Sequence, residues 1–364
     1  MSVSLVGDLG LLKLSADQSG VNGAPARLNM WLRSATDQFD GDYHSYAGTA
    51  LQETFLDEAS FGTRERTADV LIMALLLDLL RTEAEALAQA PSQPQRKRTQ
   101  AMQHVVRRAG QLAPEAAAVT PKLPARSQAD QPPASGGEAA ELVGAAAAWL
   151  SQLPDAQRLA DVTMLPTTVL HDEQMFLRLI QVFECLYLRA AWQIEAVAAA
   201  LEREGPREAA ASLLSTACCF AATPALYRVL TTMPTPAFAI IRAQTPGRSA
   251  IQSRAYREVE NICAHRRHDR SADDVHRPTL EDAFLGARRR LPATDVAEVQ
   301  EAMQRLDHYW RAMKRSHWGI ALKIIGNVPG TGGTSGAAYL YDASRIPLFP
   351  ALTAPVPPTS TRKF

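Results

Sequence analysis

Residues 172–204 place Phe176, Leu179, Ile180, Phe183, Leu186 and Tyr187 three and four positions apart. That spacing gathers them on one side of a single long helix with a broad apolar face. The same period returns in 294–326 through Val296, Val299, Met303 and Leu306. Alanine, leucine, arginine and glutamate dominate, and alternating β-branched runs are scarce. These features predict an all-α fold.

Prolines and glycines divide the chain. Residues 69–90 predict a helix, with Leu71, Leu75 and Leu79 on a common face and Pro91 ending it. Residues 91–137 carry Pro91, Pro94, Pro114, Pro121, Pro124, Pro132 and Pro133, the basic cluster Arg96-Lys97-Arg98, and Ser135-Gly136-Gly137. That composition predicts a linker or insertion with one short helix near 98–111. Further helices are predicted over 138–153, 206–233, 250–268 and 279–291. The expected organisation is an N-terminal helical segment (1–90), a Pro-rich insertion (91–137), a helical core (138–345) and an irregular tail (346–364).

Acidic and basic side chains balance at 38 each, so charge makes no case for nucleic-acid or membrane-surface binding. Four sparse, irregularly spaced cysteines fit a reducing cytoplasm better than a disulfide framework. The N-terminus lacks a charged and then apolar leader. The longest strongly apolar run, Val70 to Leu77, stops at Asp78, far short of a bilayer's thickness.

The chemistry-bearing stretch lies near the C-terminus. His317 opens a helix-like segment ending at Gly326, and Gly330-Thr331-Gly332-Gly333-Thr334-Ser335-Gly336 follows. This order suits an imidazole that clamps a planar cofactor and a mobile loop that folds over a polar ligand. A plain surface loop is the alternative. No Gly-Lys-Ser/Thr follows, so it is not a Walker loop, and no βαβ unit surrounds it. Three further segments accompany it: His171-Asp172-Glu173-Gln174-Met175-Phe176, then Met233-Pro234-Thr235-Pro236-Ala237-Phe238-Ala239-Ile240-Ile241-Arg242, then Ser249 through Glu260.

In this order and at these internal spacings, over about 166–343, the four segments resemble the tryptophan 2,3-dioxygenase family of haem-dependent aromatic oxygenases. The resemblance implies an all-α bundle enclosing haem b and an enzyme that oxidises aromatic amino acids with O₂. It places the axial haem ligand at His317 and the guanidinium for the substrate carboxylate at Arg242. Thr331 and Ser249 match groups near the amino-acid head, Arg257 a haem-propionate contact, and Phe176 and Phe238 aromatic walls. His171-Asp172-Glu173 matches the family's helix start, where the acidic pair suits the helix N-terminus by charge alone.

Two departures follow. The family's distal histidine falls at Ile180, which cannot accept an indole N–H; a buried unpaired N–H costs about 1–3 kcal/mol. His44, His265, His268 and His276 are candidate replacements, with His44 and His276 as distal candidates. Asp42-Tyr43-His44-Ser45-Tyr46 faintly resembles a Tyr-x-x-Tyr segment that in the family enters a neighbouring subunit's pocket, which implies a homo-oligomer. A related subgroup hydroxylates tyrosine or methyl-tyrosine in natural-product pathways, so a phenol hydroxylase is an alternative, with O₂ or H₂O₂ as oxidant. Some members tether haem through a cysteine four residues after the axial histidine, and this chain has Ala321 there. Two other readings are a metal site around Cys263, His265, His268, Asp273, Asp274 and His276, and a helical interaction protein without catalysis.

Overall fold

The computed structural model describes residues 26–37, 42–119, 136–203, 205–245, 252–265, 278–326, 328–330 and 333–353. Among them there is no strand, and the fold is all-α. In chain order the helices are α1 (Ala26–Asp37), α2 (Tyr43–Ala47), α3 (Thr49–Asp57), α4 (Arg64–Gln89), α5 (Gln93–Arg107), α6 (Ala109–Leu112), α7 (Gly136–Leu150) and α8 (Pro154–Thr163). There follow α9 (His171–Glu202), α10 (Pro206–Leu230), α11 (Thr235–Gln244), α12 (Arg254–Cys263), α13 (Leu280–Ala287), α14 (Ala293–Ile325), α15 (Ala337–Arg345) and α16 (Pro350–Thr353).

The core is built on α9, α10 and α14. Helix α10 packs against both of the others, and its contact with α14 is the most extensive in the fold. Phe220 and Trp310 meet edge to face there, with centroids 5.0 Å apart, and both are nearly inaccessible to solvent. Burial of Phe220 alone stabilises the fold by about 1.5–3 kcal/mol. Helix α10 is long and apolar enough to cross a bilayer by length and composition, but most of that stretch is buried inside the protein. It also carries Pro224 in its interior. Proline has no N–H to donate to the carbonyl of Phe220. The Thr223 hydroxyl donates to that carbonyl instead, at 2.7 Å, so the ladder closes without an orphaned acceptor.

The region before α9 departs from expectation. Helix α4 starts at Arg64 rather than near 69, because the Thr63 hydroxyl caps it by accepting from the amide of Arg66 at 3.1 Å. Its side chains are buried nearly all round, as a helix enclosed by α5, α7, α8 and α9 requires. Residues 93–107 form a full helix where a linker with a shorter one is predicted. The reason is local: Ser92 caps α5, and Pro94 sits in its first turn, where a missing N–H does no harm. Arg98 of the basic cluster is consequently buried, donating to Thr232 and pairing with Asp172.

Ion pairs join α4 to α9: Asp69 to Arg189 and Asp78 to Arg178, each at 2.5 Å, and Glu83 to His171 at 3.0 Å. The partners run in opposite order along the two helices, as an antiparallel pairing demands. The helix-start expectation for His171-Asp172-Glu173 holds, and Glu173 does more. Its buried carboxylate accepts from the amides of Thr167 and Thr168 and the hydroxyls of Thr167 and Tyr46.

Candidate active site

A cavity of about 280 Å³ opens between α2, α9, α10, α11, α12, α14, α15 and the glycine-rich loop. Helix α9 lines it with Phe176, Ile180, Phe183, Glu184 and Tyr187. Phe176, Ile180, Phe183 and Tyr187, spaced by three and four residues, belong to the apolar stripe read from the sequence. The stripe that looks like a core face is therefore in part a cavity wall.

His317 faces this cavity from α14. Its ring lies nearly parallel to that of Tyr227, with centroids 5.9 Å apart, and has no hydrogen-bond partner among the described residues. Loss of water around the imidazole pushes its pKa down from 6.5 to about 4. The ring is thus neutral at physiological pH, with a lone pair suited to a metal.

Phe176 and Phe238 both line the cavity and meet edge to face, centroids 5.8 Å apart. Arg242 lies one turn after Phe238 on α11. It is partly exposed, and its guanidinium donates to the carbonyl of Pro329, just before the glycine loop. No acidic side chain pairs with Arg242 among the described residues, so much of its two-pronged donor set remains available. The loop is folded on itself: the Gly330 amide donates to the carbonyl of Thr334 at 2.9 Å. Gly336 has φ +69°, and a side chain there would run into the carbonyl of Val328. Gly330, Thr334 and Gly336 line the cavity. Thr331 and Ser249 lie outside the described residues, as do His268 and His276.

His44, His265 and Arg257 are not brought to the cavity. His44 lies on α2, where Tyr43, Tyr46 and Ala47 take the buried side. One residue advances a helix by about 100°, so His44 turns away, with Nδ1 3.2 Å from the Thr49 hydroxyl. Arg257 is exposed on α12 and its guanidinium donates to the carbonyl of Gln252. Its neighbour Tyr256 takes the cavity-facing position instead.

Tyr43 and Tyr46, which the resemblance implies enter a neighbouring subunit's pocket, line the cavity of their own chain. Sequence reasoning missed Glu184 and Glu260. Glu184 is buried in the wall and accepts from the Tyr43 hydroxyl at 2.6 Å. Burial raises its pKa above the ordinary carboxylate range, against the lowering effect of hydrogen bonds from Tyr43 and Ser253. Glu260 gathers Lys314 at 2.8 Å, Tyr256 at 3.1 Å and the Trp310 N–H at 3.3 Å, and so holds the cavity-lining Lys314 and Tyr256 in place. The available signal for Glu184 was its place eight residues after Phe176 and four after Ile180, on the same stripe.

The rival metal site gains nothing here. No three of His, Cys, Asp and Glu stand together as metal ligands among the described residues. His265 is instead 3.0 Å from Asp282, while His268, Asp273, Asp274 and His276 lie outside the described residues.

No protein-family model matches the chain. Among curated proteins it is similar to the tryptophan 2,3-dioxygenase of Bradyrhizobium sp. (strain ORS 278), 26% identical over 244 residues, or 54% of this chain and 87% of that one. It is similar also to the tryptophan 2,3-dioxygenases of Bradyrhizobium sp. (strain BTAi1 / ATCC BAA-1182), at 26% over 251 residues, and of Bradyrhizobium diazoefficiens, at 24% over 235 residues. These cover 56% and 51% of this chain and 88% and 84% of the respective relatives. By sequence, the chain is a distant relative of tryptophan 2,3-dioxygenases.

Proposed function

We propose that this chain is a haem-dependent oxygenase that inserts oxygen into the ring of an aromatic amino acid, tryptophan or a derivative of it. The observation that carries the reading is one cavity lined by the neutral imidazole of His317, the guanidinium of Arg242 and the Phe176–Phe238 pair. The distant tryptophan 2,3-dioxygenase relatives support it.

The residues fit haem b. His317 supplies an unprotonated nitrogen in apolar surroundings that include Leu230, Met313 and Ile320. When bound, haem supplies the activation of dioxygen or peroxide. The chain's own task is positioning. Arg242 offers a planar match to the substrate carboxylate, and Phe176 and Phe238 hold the ring from its edge and face. The glycine loop, seated beside Arg242 through Pro329, excludes water from the amino-acid head. Ile180 neither takes nor gives a proton. A homo-oligomer in the cytoplasm completes the reading, supported by the family resemblance and by the scarcity of cysteine.

A second reading, hydroxylation of tyrosine or methyl-tyrosine, draws on Ile180 lining the cavity where the resemblance expects an imidazole. The test for both is the absorption spectrum of the haem-reconstituted protein as L-tryptophan, L-tyrosine and their methylated forms are added, followed by product masses. A haem band that shifts with one aromatic amino acid, and is lost in His317→Ala, is the expected result. Two added oxygens mark a dioxygenase and one a hydroxylase. A normal haem spectrum from His317→Ala overturns the ligand assignment, and a wild-type protein that takes up no haem overturns the reading.

A further inference from the structure

We infer that Glu184, supported by Tyr43, selects the substrate: its carboxylate accepts the hydrogen of a ring N–H or O–H, so the cavity prefers an aromatic amino acid whose ring carries a hydrogen-bond donor. The inference rests on the oxygenase reading above and names the substrate class for that same cavity.

Among the described residues lining the cavity, Glu184 is the one acidic side chain. It is 2% exposed and forms no ion pair among the described residues. A buried carboxylate without a counter-ion is expensive unless hydrogen bonds hold it. Two hydroxyls do so, Tyr43 at 2.6 Å and Ser253. An ionised carboxylate has room for about four donors, so acceptor capacity remains.

Four other polar groups in the wall are engaged elsewhere. Tyr46 donates to Glu173, Tyr256 and Lys314 to Glu260, and the Tyr187 hydroxyl rests on the Met313 sulfur at 3.7 Å. Ile180 and Phe183, the cavity-facing neighbours of Glu184 on α9, are apolar. Phe176 and Glu184 are eight residues apart on one stripe, roughly 12 Å along the helix axis. A ring seated against Phe176 thus finds its nearest carboxylate along the stripe at Glu184, far in sequence and chemistry from the cationic Arg242. The cavity carries a donor for the amino-acid head and an acceptor for the ring.

The experiment titrates haem-reconstituted wild type, Glu184→Leu, Glu184→Gln and Tyr43→Phe with four probes: L-tryptophan, 1-methyl-L-tryptophan, L-tyrosine and O-methyl-L-tyrosine. The quantity read is the affinity ratio of each donor-bearing ring to its methylated partner, which a purely structural role for Glu184 would leave unchanged. In wild type the ratio for the preferred ring should be at least about tenfold, the usual cost of a buried unmet hydrogen bond. It should fall to within about threefold in Glu184→Leu and to an intermediate value in Glu184→Gln, which keeps one acceptor. Tyr43→Phe, which spares the carboxylate, should keep the preference. If Glu184→Leu fails to fold, the near-isosteric Gln variant decides, and an undiminished ratio there overturns the proposal. Wild-type binding that ignores ring methylation also overturns it while leaving the oxygenase reading intact. Binding of none of the four by a haem-loaded wild type overturns both.

Discussion

The two sides of α9 bury polar groups by opposite rules. Toward α4, Arg178 and Arg189 are 1% exposed and each meets an aspartate at 2.5 Å, with Gln181 spending its amide on the carbonyls of Ala47 and Thr163. Toward the cavity, Glu184 is equally buried but has hydroxyl partners and no ion pair among the described residues, and His317 has no hydrogen-bond partner among them. Paired groups across a packed interface fix register, because breaking one pair strands a charge in low dielectric. Groups left without a matching charge in a cavity are poised for a ligand. One helix therefore shows which of its buried polar residues serve the fold and which serve the site.

The contrast can be broken experimentally. Arg178→Ala should have the largest effect, about 3–5 kcal/mol lost in a urea unfolding curve, because Asp78 is left buried beside Arg81 alone. Arg242→Ala should weaken binding of the preferred aromatic amino acid by about tenfold to a hundredfold, the worth of a charge-assisted pair. It should leave the unfolding midpoint nearly unchanged; a loss of stability rivalling that of Arg178→Ala would erase the distinction between the two sides. Tyr46→Phe removes one of four hydrogen bonds to Glu173 and should cost about 1 kcal/mol of stability. The smallest effect is on pH dependence. Glu83 accepts from His171 and raises its pKa above 6.5. Protonated His171 therefore stabilises the fold in full below about pH 6.5, and that contribution fades as pH rises through the higher folded value. Wild type should lose more stability than His171→Asn between pH 5.5 and pH 8.5, and equal losses would show that the pair does nothing.

Much of this was legible in the residues because it is local. The stripe on α9, the long α14 and the breaks at prolines follow from period and propensity, and the helices fall close to their expected limits. One error was also local, and came from reading proline only as a breaker: Pro94 sits in the first turn of α5. The helix expected over 206–233 does run through Pro224, where the Thr223 hydroxyl takes over the carbonyl that proline abandons. Phe176, Ile180, Phe238, Arg242 and His317 were singled out through the family resemblance of their segments, and the structure brings all five to one cavity. His44 and Arg257 were not separable from their neighbours by spacing. One step of 100° decides which of two adjacent residues faces inward, and that step is set by packing.

By itself, the sequence determined the helical class, the order of the helices, and the imidazole, guanidinium and glycine loop on which a site could be built, since each is written in a short run of residues. Only the tertiary structure decided that Tyr43 would meet Glu184 across 141 positions, that Arg98 would be buried at Asp172 rather than solvated in a linker, and that the cavity would be lined by the chain's own N-terminal tyrosines. The reason is physical. Such pairings cost loop-closure entropy and are repaid only when many distant side chains pack at once, so no window of sequence contains them.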